Sequence, residues 1–395
     1  MDGLIQKMRD IQHFGEEGGV VPVVDVATTS TFLKPEEMEK AFNGEMSGCY
    51  LYSRHMNPTV NAFGKKLAAL EGMEAALGVA SGMAAIKCAL RQLLPQGGRI
   101  LSSQMVYGGT YALFKNIFPQ CGIRVDFVDM SDLDALERAI TPETKIIYTE
   151  TMSNPVLRLA DLGAIGKLCR RHGLKLVVDN TFAPVIVSPA RFGADVVVYS
   201  CTKYISGASD LIAGAILGSA EFIAQLIDIN HGQVMLTGPA LDARLAHELY
   251  LRLDHLPLRM AAHSRAALAL AQRAKDKGVT VIYPGLETHL DHQLMSQMMS
   301  PEFGYGGMLA VDLETSARAL SFATKLQAKK FGLYAVSLGF SRTLISCPAV
   351  TTSSEIPIDE QAQMGLSPGL LRLSIGFVGQ ESIMAERFLS AYAEL

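Results

Sequence analysis

The stretch LKLVVDNTFAPVIVSPARFGADVVVYSCTKYISG, residues 174–207, contains two short apolar runs, LKLVVDN and DVVVYS, each closed by polar residues. Runs that are apolar almost throughout suit strands buried on both faces of a parallel sheet, and polar groups at the carboxyl ends of such strands lie where α/β sheets bind ligands. Upstream, ALGVA, RILSS, RVDFVD and KIIYTE repeat the pattern, separated by helix-length amphipathic segments. From about residue 66 to 218 that alternation predicts a mostly parallel sheet covered by helices. Residues 238–278 read as helical, with Pro239 near a helix start and Pro257 breaking or kinking the pattern, which makes a plausible hinge. Beyond it, VTVIYPG, GMLAVDL, YAVSLG and LRLSIG alternate again with helical segments. The expected organisation is therefore α/β: an arm over 1–60 without strong periodicity, which needs a partner surface to become ordered, a large domain over 61–255, and a smaller C-terminal α/β domain over 256–395.

The bulk composition narrows the function classes. Of 395 residues, 49% are hydrophobic, enough for more than one core, and 35 Lys and Arg stand against 39 Asp and Glu. A net charge of −4 gives no general attraction to phosphate backbones or anionic lipid, so neither nucleic acid nor membrane is an expected partner. The N-terminal MDGLIQKMRDIQHFGEEGG has no apolar core flanked by basic residues, and a cytoplasmic location is expected. The six cysteines (Cys49, Cys88, Cys121, Cys169, Cys201, Cys347) are scattered, with no CxxC pair and no metal spacing, and read as reduced thiols.

Chemistry enters with Lys203, a few residues beyond the second run and flanked by Ser200 and Thr202. A lysine there can form an imine with an aldehyde cofactor while neighbouring hydroxyls bind its phosphate. Asp179 ends the first run, which can place it at the same sheet edge, where a carboxylate could pair with a pyridine nitrogen. Further upstream, Ser81, Gly82 and Met83 fall at a strand-to-helix turn, whose free N–H groups and positive helix end suit phosphate. Taken singly these signals are weak. An isolated Thr-Lys pair is more often a surface lysine, and a lone aspartate serves equally as a helix cap or metal ligand.

YSRHMNPT, SGM, YGGTY, TETMSNP, VVDNTFAP, SCTKYISGASD and LRLSIG occur in that order in one chain. The ordered set, running from about residue 20 to 390, resembles the Cys/Met-metabolism pyridoxal-phosphate (PLP) enzymes, the family of cystathionine γ-synthase, cystathionine γ-lyase, methionine γ-lyase and O-acylhomoserine sulfhydrylase. The resemblance implies PLP fold type I and pyridoxal 5'-phosphate as cofactor. It implies that Lys203 carries the cofactor and moves protons, that Asp179 partners the pyridinium, and that Tyr107 stacks on the ring and assists proton transfer. Gly82, Met83, Ser200 and Thr202 would hold the phosphate, joined by Tyr52 and Arg54 from a neighbouring subunit. Arg372 would clamp the α-carboxylate of an amino-acid substrate, with Ser337 and Asn154 nearby. Glu150 corresponds to an acidic residue close to the cofactor, acting in the chemistry or merely holding polar neighbours. An obligate dimer follows, and a dimer of such dimers, a homotetramer, is usual in the family.

The same resemblance implies loss of a group from the substrate's γ-carbon, ending in keto acid and ammonia with water or in replacement with another nucleophile. Val336 stands where cystathionine-handling members have a glutamate and methionine γ-lyases an aliphatic residue. Gly109, by contrast, matches the cystathionine enzymes, since methionine γ-lyases have a cysteine there. Val234 and Met235 replace a charged pair, and Ala208, Arg342 and Cys347 are further departures that could alter the pocket mouth. The leading expectation is a lyase performing γ-elimination on methionine or homocysteine to give 2-oxobutanoate, ammonia and a thiol. Cystathionine cleavage or synthesis and γ-replacement on an O-acylhomoserine are alternatives, as is β-elimination, told apart by pyruvate. An inactive PLP-binding regulator would be free to lose some of Lys203, Asp179, Tyr107 and Arg372, and all four are present.

Overall fold

The computed structural model describes residues 2–11, 19–42, 45–46, 50–352, 354 and 356–395. Cys49 and parts of the expected 1–60 arm lie outside the described residues. The other five cysteines are unbonded.

The large sheet contains β1 (Ala75–Val79), β2 (Gly98–Ser103), β3 (Ile123–Val128), β4 (Thr144–Glu150), β5 (Lys175–Asp179), β6 (Val196–Tyr199) and β7 (Gly214–Gly218). Its spatial order is β1-β7-β6-β5-β4-β2-β3. β7 pairs antiparallel with both its neighbours, and the other pairings are parallel, as the apolar runs require. β7 has no counterpart among the runs first noticed, because GAILG is short and glycine-flanked. The helix Pro58–Glu71 packs on β1, with Asn57 capping its first turn by accepting from the N–H groups of Thr59 and Val60. Gly64 permits that approach, since a Cβ there would stand 2.3 Å from the Ala76 carbonyl oxygen.

The second sheet is formed by β8 (Val281–Ile282), β9 (Met308–Asp312), β10 (Leu333–Tyr334), β11 (Leu344–Ser346) and β12 (Leu370–Ser374), in the order β10-β11-β12-β9-β8. Here the strand expected over YAVSLG is corrected. Only Leu333–Tyr334 forms a strand, Ser337 takes a left-handed φ of 107°, and Leu344–Ser346 pairs beside Leu333–Tyr334 as a further strand. VTVIYPG likewise yields only the short β8. The 238–278 segment divides into helices Ala243–Asp254 and Leu256–Asp276, so Pro257 sits in the first turn of a new helix, and Pro239 precedes the Asp242 cap. The arm also departs from expectation, because Asp2–Arg9 and Pro35–Phe42 are helical. The first packs on Pro58–Glu71 and buries Met8.

Below the carboxyl ends of β4 to β6 lies a buried polar chain. Thr151 donates to the Asn180 side-chain oxygen at 2.8 Å, Asn180 donates to the Tyr199 hydroxyl at 2.7 Å and to the Val187 carbonyl at 2.8 Å, and Tyr199 donates to Glu71. Burial pushes the Glu71 carboxyl up to about 8. The native state thus retains a proton that the unfolded chain gives up near 4.5, so stability falls as pH rises from there to about 8 and then levels. Glu71→Gln mimics the protonated acid. Its melting temperature should match wild type near pH 5 and exceed it by on the order of 2–4 °C at pH 8, as read by thermal denaturation across pH. A gap that does not widen with pH would show that Glu71 is not protonated in the native protein.

Candidate active site

A cavity of about 480 Å³ opens at the carboxyl edge of the large sheet. Among the residues anticipated from sequence, Gly82, Met83, Tyr107, Asn154, Asp179, Ser200, Thr202, Lys203, Val336, Ser337 and Arg372 line it, together with Glu150. Tyr52 and Arg54 do not. Arg54 donates from Nη1 to the Met235 carbonyl at 2.7 Å, and its guanidinium lies 5.5 Å from the centre of the Tyr52 ring.

Strand register explains the centre of the site. Glu150 and Asp179 are direct neighbours across β4 and β5, and Asp179 pairs with Val198 of β6, whose continuation carries Ser200, Thr202 and Lys203. Asp179 accepts from the Thr181 N–H at 2.9 Å, and desolvation raises its carboxyl to about 6 despite the bonds from Thr181. Thr181 in turn accepts from the Ser200 N–H at 2.9 Å, tying the two strand ends together. Lys203 donates to the Ser337 hydroxyl at 3.0 Å. Its amine is lowered to about 8, first by desolvation and then by the nearby Arg372 charge, which leaves a sizeable neutral fraction close to neutral pH.

The helix Gly82–Leu93 begins against the lysine turn. Ser81 caps it by accepting from the Ala84 N–H at 3.1 Å, so the N–H groups of Gly82 and Met83 head a first turn that has no intrahelical acceptor for them. A Cβ on Gly82 would stand 2.7 Å from Ser200 Cβ and 2.9 Å from its Cα, so only glycine leaves this cradle open. Thr202 is fixed by reciprocal bonds with Ala213, accepting from its N–H at 3.0 Å and donating to its carbonyl at 3.2 Å.

From β12, buried Arg372 reaches the same cavity, donating from Nη1 to Asn154 Oδ1 at 2.8 Å and from Nη2 to the Ser337 carbonyl at 3.1 Å. Its Nε has no partner, and burial lowers the guanidinium to about 10, so an anion brought to it would be strongly favoured. Tyr107, half exposed, is anchored by its backbone N–H to Glu150 at 2.7 Å. Gly109 sets where its ring can lie, because a Cβ there would meet Tyr107 Cε1 at 2.6 Å. Among the other departures, Ala208, Val234, Met235, Arg342 and Cys347 lie outside the cavity lining.

Several lining residues escaped the sequence reading: Thr181, Ile86, Met152, Phe182, Ile212 and Thr351. The Asx turn on Asp179 is closed by the Thr181 backbone N–H, which any residue but proline could supply, so the Thr181 hydroxyl that accepts from Ser200 carried no signal. The apolar ones carried none that separates a cavity wall from a core.

The donor set suits pyridoxal phosphate. A desolvated carboxyl with no basic side chain acting on it calls for a cationic ring nitrogen, an accessible lysine amine for an aldehyde, and an open helix start beside two hydroxyls for a phosphate. A lysine-bound carbonyl cofactor at the carboxyl edge of a mostly parallel sheet is the class of protein that fold and site define. The family model of the Cys/Met metabolism PLP-dependent enzymes matches residues 9–386, and the chain belongs to that family. It is 44% identical over 377 residues to a methionine gamma-lyase of Arabidopsis thaliana, covering 94% of this chain and 86% of the relative. It is 38% identical over 375 residues to the L-methionine gamma-lyase of Pseudomonas putida, covering 93% and 92%. Among solved structures it is similar to a cystathionine gamma-lyase of Lactobacillus plantarum complexed with L-serine (TM-score 0.88, 32% identity, 99% and 98% covered). A putative O-acetylhomoserine (thiol)-lyase of Campylobacter jejuni containing N'-pyridoxyl-lysine-5'-monophosphate is similar too (TM-score 0.91, 28% identity, 99% and 100% covered). The fold is that of PLP fold type I, and the cofactor is pyridoxal 5'-phosphate.

Gly82→Ala tests the cradle. Overpacking costs about 1–3 kcal/mol, so retention of added pyridoxal phosphate in equilibrium dialysis should weaken roughly tenfold or more. Unchanged retention in a folded variant would mean that the helix start and Ser200 move apart without consequence.

Proposed function

We propose that the protein is a PLP-dependent carbon–sulfur lyase that eliminates the γ-substituent of methionine or homocysteine, giving 2-oxobutanoate, ammonia and a thiol. The observation that carries the choice is Val336. It lines the cavity at its mouth and is 60% exposed, and apolar Ile86, Met152 and Leu338 are among the other lining residues. An apolar wall accepts a thioether and offers nothing to a distal ammonium, and the identity with methionine gamma-lyases supports the same choice.

Lys203 binds the cofactor, which when bound supplies an electron sink for charge developed at the substrate's α-carbon. Asp179 holds the protonated pyridine nitrogen, and Gly82, Met83, Ser200 and Thr202 hold the phosphate. Arg372, oriented by Asn154 and the Ser337 carbonyl, clamps the α-carboxylate. The freed Lys203 amine takes the α-proton and delivers protons along the substrate, its lowered basicity suiting both directions. Tyr107 serves as the acid for the departing thiolate. Cystathionine cleavage and replacement on an acylated homoserine use the same machinery and differ at the cavity mouth.

The assembly is part of the proposal. Tyr52 and Arg54 lie outside their own chain's cavity, and the arm that pairs with them, through Thr29 with Tyr52, exposes Val20, Val23, Val26 and Leu33. An exposed apolar arm of this kind suits a partner surface. In this reading the arm, 1–60, completes the phosphate site of a neighbouring subunit beside domains over 61–255 and 256–395, in a dimer of dimers in the cytoplasm. Among the described residues no helix is long and apolar enough to cross a membrane.

Reduction with borohydride should fix the pyridoxyl group on the peptide containing Lys203, and label on another lysine would sink the assignment. Arg54→Ala should retain PLP poorly. Mixed with Lys203→Ala protein it should regain activity, because a mixed dimer contains one site with neither lesion; no recovery despite demonstrated subunit exchange would place each site within one chain. In a panel of methionine, homocysteine, cystathionine and O-acylhomoserines, kcat/KM for methionine or homocysteine should exceed that for cystathionine, with 2-oxobutanoate formed. Val336→Glu should move the ratio toward cystathionine by roughly three- to tenfold, below the full worth of a charged hydrogen bond because the position is solvent-screened. An unmoved ratio in folded, PLP-loaded protein would exclude Val336 as the determinant.

A further inference from the structure

Glu150 ends β4 with 7% of its surface exposed, and its cross-strand neighbour is a second acid, Asp179. Desolvation and the Asp179 charge both push its carboxyl far above the ordinary range. Two carboxyls side by side at a sheet edge are costly, and a neutral residue there would avoid the cost. Glu150 also lines both the large cavity and a smaller cleft of about 30 Å³ whose wall includes Asp129, Ser131 and Arg158.

Its two oxygens have separate tasks. One accepts from the Tyr107 N–H at 2.7 Å, the other from the Asn154 N–H at 3.2 Å. Asn154 then accepts from Arg372 at 2.8 Å through its side chain. A carboxyl on the large sheet is thus linked through one residue to the guanidinium of an arginine on the second sheet. The bond to its N–H fixes the Asn154 backbone from which the side chain reaches Arg372.

We propose that Glu150 is a positioning residue for the α-carboxylate subsite, acting through Asn154 on the orientation of Arg372 while the same carboxyl fixes the backbone at Tyr107. The inference rests on the reading of Arg372 as the carboxylate clamp. Glu150→Gln preserves volume but keeps one acceptor and turns an amide NH₂ against the second N–H.

The test uses holoprotein and follows the bound cofactor's absorbance during titration with glycine, which has an α-carboxylate and no γ-leaving group, and with ethylamine, which has the amine alone. Glu150→Gln should weaken glycine about tenfold, the size of one charge-assisted bond lost from alignment, with ethylamine changed less than about twofold in folded protein that retains its cofactor. Added to Asn154→Ala, it should weaken glycine no further, because both act along one path. Should Glu150→Gln fold poorly, Glu150→Asp, too short to reach both N–H groups, should show the same selective loss at smaller size. Equal weakening of glycine and ethylamine, unaltered glycine binding, or full additivity with Asn154→Ala would each overturn the proposal. Arg372→Ala, measured alongside, separates the two readings. If it leaves glycine binding intact, the clamp reading fails and the inference with it; if it weakens glycine while Glu150→Gln does not, only the inference falls.

Discussion

The parallel pairing of β4, β5 and β6 brings Glu150 beside Asp179 and aims the end of β6 toward Lys203, and the rest of the site is arranged around that desolvated edge. Burial raises both carboxyls even though Asp179 faces the cavity, and no basic side chain among the described residues acts on Asp179. A cationic ring nitrogen relieves that condition, so the folded protein is predisposed to its cofactor before any substrate is considered. The Thr181 bonds to both Asp179 and Ser200 keep the two strand ends from separating.

The second sheet contributes by reaching over that edge. Arg372 is held by one residue from each unit, Asn154 and Ser337, which makes the guanidinium an instrument of their relative position. Two contacts limit that freedom. Arg259 of the helix Leu256–Asp276 donates to the Ile205 carbonyl at 2.9 Å, two residues past Lys203, and Arg158 forms a forked pair with Asp291 at 2.6 and 3.2 Å. The first ties the helix Leu256–Asp276 to the turn that carries Lys203, and the second, a forked pair, fixes angle as well as distance between Arg158 and Asp291.

In the proposed reading, substrate choice is placed differently from the chemistry. The groups for cofactor binding sit deep at the sheet edge, whereas Val336 and Ile212 lie at the exposed mouth. Gly109 leaves room for the Tyr107 ring and so bears on where that ring lies. Met235 meets Arg54 through its carbonyl and is not among the cavity-lining residues.

The sequence by itself determined the parallel core, with Asp179 at the end of one strand and Lys203 just past the next, because these follow from local hydrophobic runs; what those residues do was legible only from the ordered set of motifs, since each residue type alone has many uses. Tertiary structure alone decided the rest. Val336 and Ser337 fall in a run read as a strand, yet the strand stops at Tyr334, and only pairing with β11 shows where it ends. The antiparallel insertion of β7 depends on which edge receives it. Ile86, Met152 and Ile212 look like core residues because apolarity does not say whether a side chain faces another side chain or an opening. The double task of Glu150 joins residues far apart in the chain through two backbone N–H groups, and backbone donors leave no mark in a sequence because every residue but proline has one.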